Sequence, residues 1–88
     1  MFENFGTETA KKFTKDEINA ILNEFSNEKY GTVLRAKGYV QSTADEWIYF
    51  DYIPDSPDVR NGNPSVIGRI CVIGTDLCEE KIKELFKL

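Results

Sequence analysis

The run Val33-Leu34-Arg35-Ala36-Lys37-Gly38-Tyr39-Val40 constrains this chain more than any other segment. Two long cations alternate with two minimal side chains, inside a stretch that is otherwise β-branched, aliphatic or aromatic. A period of two is the period of a strand, whose successive side chains point to opposite faces of a sheet. Leu34, Ala36, Gly38 and Val40 are therefore expected on one face, and Arg35, Lys37 and Tyr39 on the other. The small pair at 36 and 38 admits close approach by a covering helix, while the cationic side suits water or a partner.

Length limits what else the chain can hold. A domain of 88 residues buries only about 60 to 65% of its unfolded surface, so one modest core is expected and residues 1–88 read as a single domain. No nucleotide-binding domain fits beside it. The hydrophobic fraction of 41% and aromatic fraction of 12% are those of a folded globule. A formal net charge of −4 argues against a dedicated nucleic-acid binder, which ordinarily carries a basic excess to neutralise phosphates. No apolar run approaches the roughly 20 residues of a membrane span. Met1-Phe2-Glu3-Asn4 does not open a secretory signal either, so the expected address is cytoplasmic. Histidine is absent and only two cysteines occur, Cys71 and Cys78. Neither a disulfide framework nor a zinc site of Cys and His ligands is expected from this chain alone, and no cofactor is assigned to it.

Two helices are legible. Thr14 and Glu17 have capping-box spacing, and Phe13 with Ile18 has that of a hydrophobic staple. Ile18, Ile21, Leu22 and Phe25 then fall at i, i+3, i+4 and i+7, one apolar stripe of a helix ending near Asn27. The second helix follows Gly74-Thr75-Asp76-Leu77-Cys78. It starts either with an Asp76 and Glu79 box or with Cys78 as cap and Leu77 stapled to Ile82, and Ile82, Leu85 and Phe86 form its inner face.

Between the helices, Thr32–Gln41, Trp47–Ile53 and Val66–Gly74 read as strands, each bounded by turn formers. Residues 42–46 are short and polar enough to join the first two as a hairpin. Residues 54–65 contain three prolines and an Asn-Gly pair and read as an exposed, mobile loop. A weak further strand is expected at Gly6–Lys12, where polar residues suit only an edge. The expected fold is α+β: an antiparallel sheet of three or four strands with both helices packed on one face.

Three segments together resemble the carboxy-terminal domain of CobW-type GTPases: the helix opening from Phe13 to Phe25, the strand Val33-Leu34-Arg35-Ala36-Lys37-Gly38-Tyr39, and Arg69-Ile70-Cys71-Val72-Ile73-Gly74-Thr75-Asp76-Leu77. The resemblance runs from about Phe13 to Phe86. It implies an auxiliary domain of a metal-handling or cobalamin-related protein, whose GTPase domain precedes it and binds GTP, magnesium and metals such as zinc or cobalt. That domain's phosphate-binding loop and Cys-x-Cys-Cys motif are absent from these 88 residues, and so is the histidine-rich stretch of many relatives.

The expected role is therefore non-catalytic: an interaction or regulatory domain of a metal-delivering, metallochaperone-like GTPase. Its expected partners are a GTPase domain, in the same chain or another, and a metalloprotein client. The candidate docking surface is Arg35, Lys37, Tyr39, Trp47 and Arg69, against the plainer reading of a solvated strand face. The alternative is a single-stranded RNA-binding or other protein-binding module using the open sheet face, because aromatics and cations on a sheet are also the platform of RNA-recognition domains. The acidic balance weighs against RNA. No nucleophile, base and orienting acid can be grouped, since histidine is missing. Calorimetry of the 88-residue chain with GTP and magnesium is expected to show no saturable binding at micromolar nucleotide, because no Gly-rich phosphate cradle is encoded. Saturable binding would overturn this reading.

Overall fold

The computed structural model describes residues 2–88. In chain order its elements are β1 (Glu3–Thr9), β2 (Lys12–Phe13), α1 (Lys15–Glu24), a short 3-10 turn (Glu28–Tyr30), β3 (Thr32–Ser42), β4 (Trp47–Ile53), β5 (Ser56–Gly62), β6 (Gly68–Thr75) and α2 (Glu79–Phe86). The sheet runs β1-β6-β3-β4-β5 with antiparallel neighbours, and β2 adds a short parallel pairing to the end of β3. The α+β architecture is as expected, but the sheet has six strands rather than three or four.

Most of the difference lies in residues 54–65, where an exposed, mobile loop was expected. There β5 pairs with the whole of β4, from Ile53 opposite Ser56 to Trp47 opposite Gly62. Pro54-Asp55 is the connecting turn, with Asp55 at φ 64°, a proline-then-left-handed order that suits a type II turn. Pro57 and the polar run around it are tolerated because β5 is an edge strand, where a missing N–H and charged side chains also discourage further pairing. Val59 is half-buried against the core, and most of β5 is exposed. β1 holds the opposite edge, beginning at Glu3 rather than at Gly6.

α1 begins where local chemistry dictates. The Glu17 N–H donates to Thr14 Oγ1 at 3.1 Å and the Thr14 N–H donates to Glu17 Oε1 at 2.8 Å, a complete capping box. That backbone donation holds the Glu17 carboxyl below its ordinary range. Ile18, Ile21, Leu22 and Phe25 are all buried, as their spacing requires.

α2 starts by a different route. Asp76 takes a left-handed conformation, φ 53°, and forms no box with Glu79; Cys78 occupies the cap position without a side-chain bond. The donors entering this helix are satisfied from afar: the Leu77 N–H donates to Glu3 Oε1 at 2.9 Å and the Cys78 N–H to the Tyr30 carbonyl at 3.2 Å. At the other end, Lys11 Nζ donates to the Phe86 carbonyl at 2.9 Å, placing a cation where the helix dipole favours one. Gly31 lies beneath this junction at φ 92°, and a Cβ there would meet the Asp76 carbonyl oxygen at 2.3 Å.

The alternation of β3 holds with one irregularity. Its register against β6 shifts between Val33 and Arg35, so Val33 rather than Leu34 enters the core with Ala36 and Val40. Gly38 is needed for a reason other than helix approach. Its cross-strand partner is Phe50, and an added Cβ would meet the Phe50 Cζ at 2.9 Å and the Arg69 carbonyl at 2.2 Å.

Both helices lie over the face carrying Ile48, Phe50, Tyr52, Ile70 and Val72. Phe86, fully buried at the end of α2, meets three rings: Phe13 at a centroid distance of 6.3 Å, Phe25 at 6.2 Å and Phe50 at 6.4 Å. One side chain thus links β2, the end of α1 and the middle of β4. Phe86→Ala is expected to cost about 3 to 5 kcal/mol, a large share of the roughly 5 to 15 kcal/mol that holds a small domain. Urea unfolding followed by circular dichroism measures it, and a loss below about 1 kcal/mol would show that Phe86 does not tie the layers together.

Candidate open sheet face

The face of the sheet away from the helices is set by strand register. Tyr39 lies opposite Arg69 on β6 and Tyr49 on β4, and Tyr49 lies opposite Arg60 on β5. Beside that row, Lys37 lies opposite Cys71 and Asp51, and Gly6 and Asp58 extend the line on β1 and β5. All five residues singled out from sequence, Arg35, Lys37, Tyr39, Trp47 and Arg69, fall on this one face.

They do not all remain available. Tyr39 and Tyr49 stack at 5.3 Å with 28° between their planes, and Trp47 tilts against Tyr39 at 6.3 Å. Trp47 is only 7% exposed, so its ring supports the two tyrosines more than it offers surface. The Tyr49 hydroxyl donates to the Asn63 carbonyl at 2.9 Å, and its ring covers Gly62, where a Cβ would fall 2.2 Å from Tyr49 Cδ1.

Arg35 is also engaged. Its Nη2 lies 3.0 Å from Asp51 Oδ2 and its Nε donates to Oδ1 at 3.3 Å, a two-pronged pair across β3 and β4. The hydrogen bond from Arg35 holds the Asp51 carboxyl below its ordinary range. Arg60 Nη1 reaches Asp58 Oδ2 at 2.6 Å on the edge strand. Asp51 and Asp58, directly opposite one another, are thus each drawn to an arginine, and the face is mixed in charge rather than basic. Among the described residues, Lys37 and Arg69 have no ion-pair partner.

These groups surround a depression of about 260 Å³, lined by Lys37, Tyr39, Tyr49, Asp51, Arg60, Arg69 and Cys71 among others. Asp51 was recoverable from sequence by counting two residues on from Tyr49. Arg60 was not, because its strand carries no apolar rhythm. Cys71 points to this open face, half-buried, and its thiol donates to Asn4 Oδ1 at 3.3 Å. Cys71 and Cys78 are both free thiols. No three His, Cys, Asp or Glu side chains among the described residues are grouped to hold a metal ion.

A second hollow, about 270 Å³, lies between α1 and α2. Its chemistry is already committed. Lys11 donates to the end of α2, Glu17 belongs to the capping box, and Phe13 and Phe86 are core. No helix among the described residues is long and apolar enough to cross a membrane.

The family model for the cobalamin synthesis protein cobW C-terminal domain matches residues 2–88. The chain belongs to that family. Among solved structures, the Zn(II)-bound YjiA GTPase from E. coli superposes with a TM-score of 0.81 at 18% sequence identity, covering 98% of this chain and 29% of that one. A Zn(II)-bound triple mutant of YjiA GTPase gives the same values. These likenesses establish the shared fold, and the chain spans less than a third of the neighbours' length. No curated protein matches it.

For this cobW C-terminal domain, the Arg35 and Asp51 pair sets a pH signature. A carboxyl whose pKa is lowered by folding contributes stability above its unfolded value, about 3.9 for Asp, and loses it as the pH falls through the folded value. Asp51→Asn is therefore expected to lower the melting temperature modestly at pH 7 and to match the parent near pH 2. An equal gap at both pH values would show that the carboxylate charge is not what stabilises.

Proposed function

We propose that this chain is the non-catalytic interaction and regulatory part of a CobW-type GTPase that takes part in metal delivery or cobalamin-related metal handling. It docks through its open sheet face onto a GTPase domain, in the same polypeptide or in a partner. Family membership supports the first part of this reading, as does similarity to a GTPase of which the chain spans 29%.

The second part rests on one observation: the helices close one face, while the other keeps two unpaired cations beside a depression floored by aromatic rings. Arginine and tyrosine are enriched in the contacts that dominate protein interfaces, and cations without an intramolecular partner are free to find one elsewhere. Arg35 is the weaker contact candidate because binding through it competes with Asp51. Lys37 and Arg69 are the stronger. The metalloprotein client would then be served by the assembled GTPase.

A pull-down with a separately expressed CobW-type GTPase domain, loaded with GTP or GDP, tests the docking. Lys37→Glu with Arg69→Glu is expected to leave the circular-dichroism melt within a few degrees of the parent, since exposed charges matter little to folding. The same double variant should weaken association about tenfold or more, as reversing interfacial charges does. Full-strength binding by the folded variant would place docking elsewhere, and unfolding would make these residues structural.

A further inference from the structure

Building on the docking reading above, the geometry of the open face points to the chemistry of what it takes. We propose that the depression receives an extended acidic segment of a protein partner, with carboxylates at positions i and i+4 and an apolar residue at i+2.

The spacing comes from the sheet itself. Arg69 on β6, Tyr39 on β3, Tyr49 on β4 and Arg60 on β5 form one row across neighbouring strands. With strands about 4.8 Å apart, the two arginines are rooted about 14 Å from each other. An extended chain advances about 3.4 Å per residue, so residues i and i+4 on one side of it span nearly the same distance. Between them, residue i+2 points the same way and meets the stacked Tyr39 and Tyr49 rings, 5.3 Å apart.

Charge favours the match at both ends. Lys37 sits diagonally from Arg69 through the Lys37 and Cys71 pairing, about 7 to 8 Å away, so one carboxylate can lie between two unpaired cations. At the other end, Arg60 is held only by Asp58, two residues away on an exposed edge, and such pairs are readily shared. On the β1 side the row ends at Glu8, which lies opposite Arg69 but forms no ion pair with it among the described residues, and next to it Gly6 places no side chain over Cys71.

Single-stranded RNA fits less well. Base stacking needs free aromatic faces, yet Tyr39 is stacked by Tyr49 on one side and flanked by the enclosed Trp47, which is 7% exposed. A formal charge of −4 also repels a polyanion at long range, whereas a short acidic segment carries only the charges the row can match.

Fluorescence anisotropy with the 88-residue chain tests this with three labelled probes: a nine-residue peptide with Glu at i and i+4 and Leu at i+2, a peptide of the same composition with Glu at i and i+2 and Leu at i+4, and a ten-nucleotide single-stranded RNA. The first probe is expected to bind at least tenfold more tightly than either other, weakening as salt rises. Lys37→Glu with Arg69→Glu, folded by circular dichroism, is expected to reduce that binding at least tenfold. Equal binding of the two peptides, tighter binding of RNA, or no effect of the folded double variant would each overturn the proposal. If the GTPase-domain pull-down is sensitive to the same variant while the first peptide neither binds nor competes, the docking reading stands and the acidic-segment proposal fails.

Discussion

The pairing of β3 on both sides determines nearly everything else in this domain. Flanked by β6 and β4, β3 has no freedom to slip, because a shift of one residue would send Ala36, Gly38 and Val40 to the wrong face and bring Arg35, Lys37 and Tyr39 under the helices. Burying two unpaired cations costs far more than any register can return. The same constraint therefore builds the core and aligns the open face. Core and candidate site are two readings of one alternation.

What closes the covered face is less redundant. α2 has only eight residues, and two of them, Ile82 and Phe86, are buried. Its entry depends on acceptors from β1 and the turn before β3, and its exit on Lys11. A helix this short is marginal by itself. Its stability must come from packing, which is why Phe86 meets aromatic rings from three separate elements. The consequence is a cooperative layer, in which the chain's two ends are tied together through Glu3 and Leu77 and through Lys11 and Phe86.

Legibility of the sequence followed the range of the interactions. The start of α1 was readable because both bonds of its capping box lie within four consecutive residues, Thr14 to Glu17. The start of α2 was not, since Glu3, more than seventy positions upstream, supplies an acceptor that no local pattern announces. β5 escaped for a different reason: an exposed edge strand has one half-buried apolar residue, Val59, and so no hydrophobic period to detect. On the open face, alternation alone placed Arg35, Lys37 and Tyr39 together. The pairing of Arg35 with Asp51 needed the β3 and β4 register, and Arg60 needed a strand that Pro57 and the flanking Pro54 and Pro64 made read as a loop. Leu34 was misplaced because a bulge is a one-residue exception that periodicity cannot foresee.

An uncovered face is itself unremarkable in an antiparallel sheet, which commonly packs one side and wets the other. Its charges are unevenly distributed. Arg35 and Arg60 are matched to Asp51 and Asp58, whereas Lys37 and Arg69, near one another on β3 and β6, form no ion pair among the described residues although they lie opposite Asp51 and Glu8. The face holds acidic groups of its own, Asp51, Asp58 and Glu8, in a chain of net charge −4, so long-range attraction for an anion is weak while short-range attraction beside Lys37 and Arg69 is retained. Screening over about 8 to 10 Å at physiological salt sharpens that contrast, because only a partner already close to the face feels the local cations. On the docking proposal, such a surface selects by contact geometry rather than by capture from a distance.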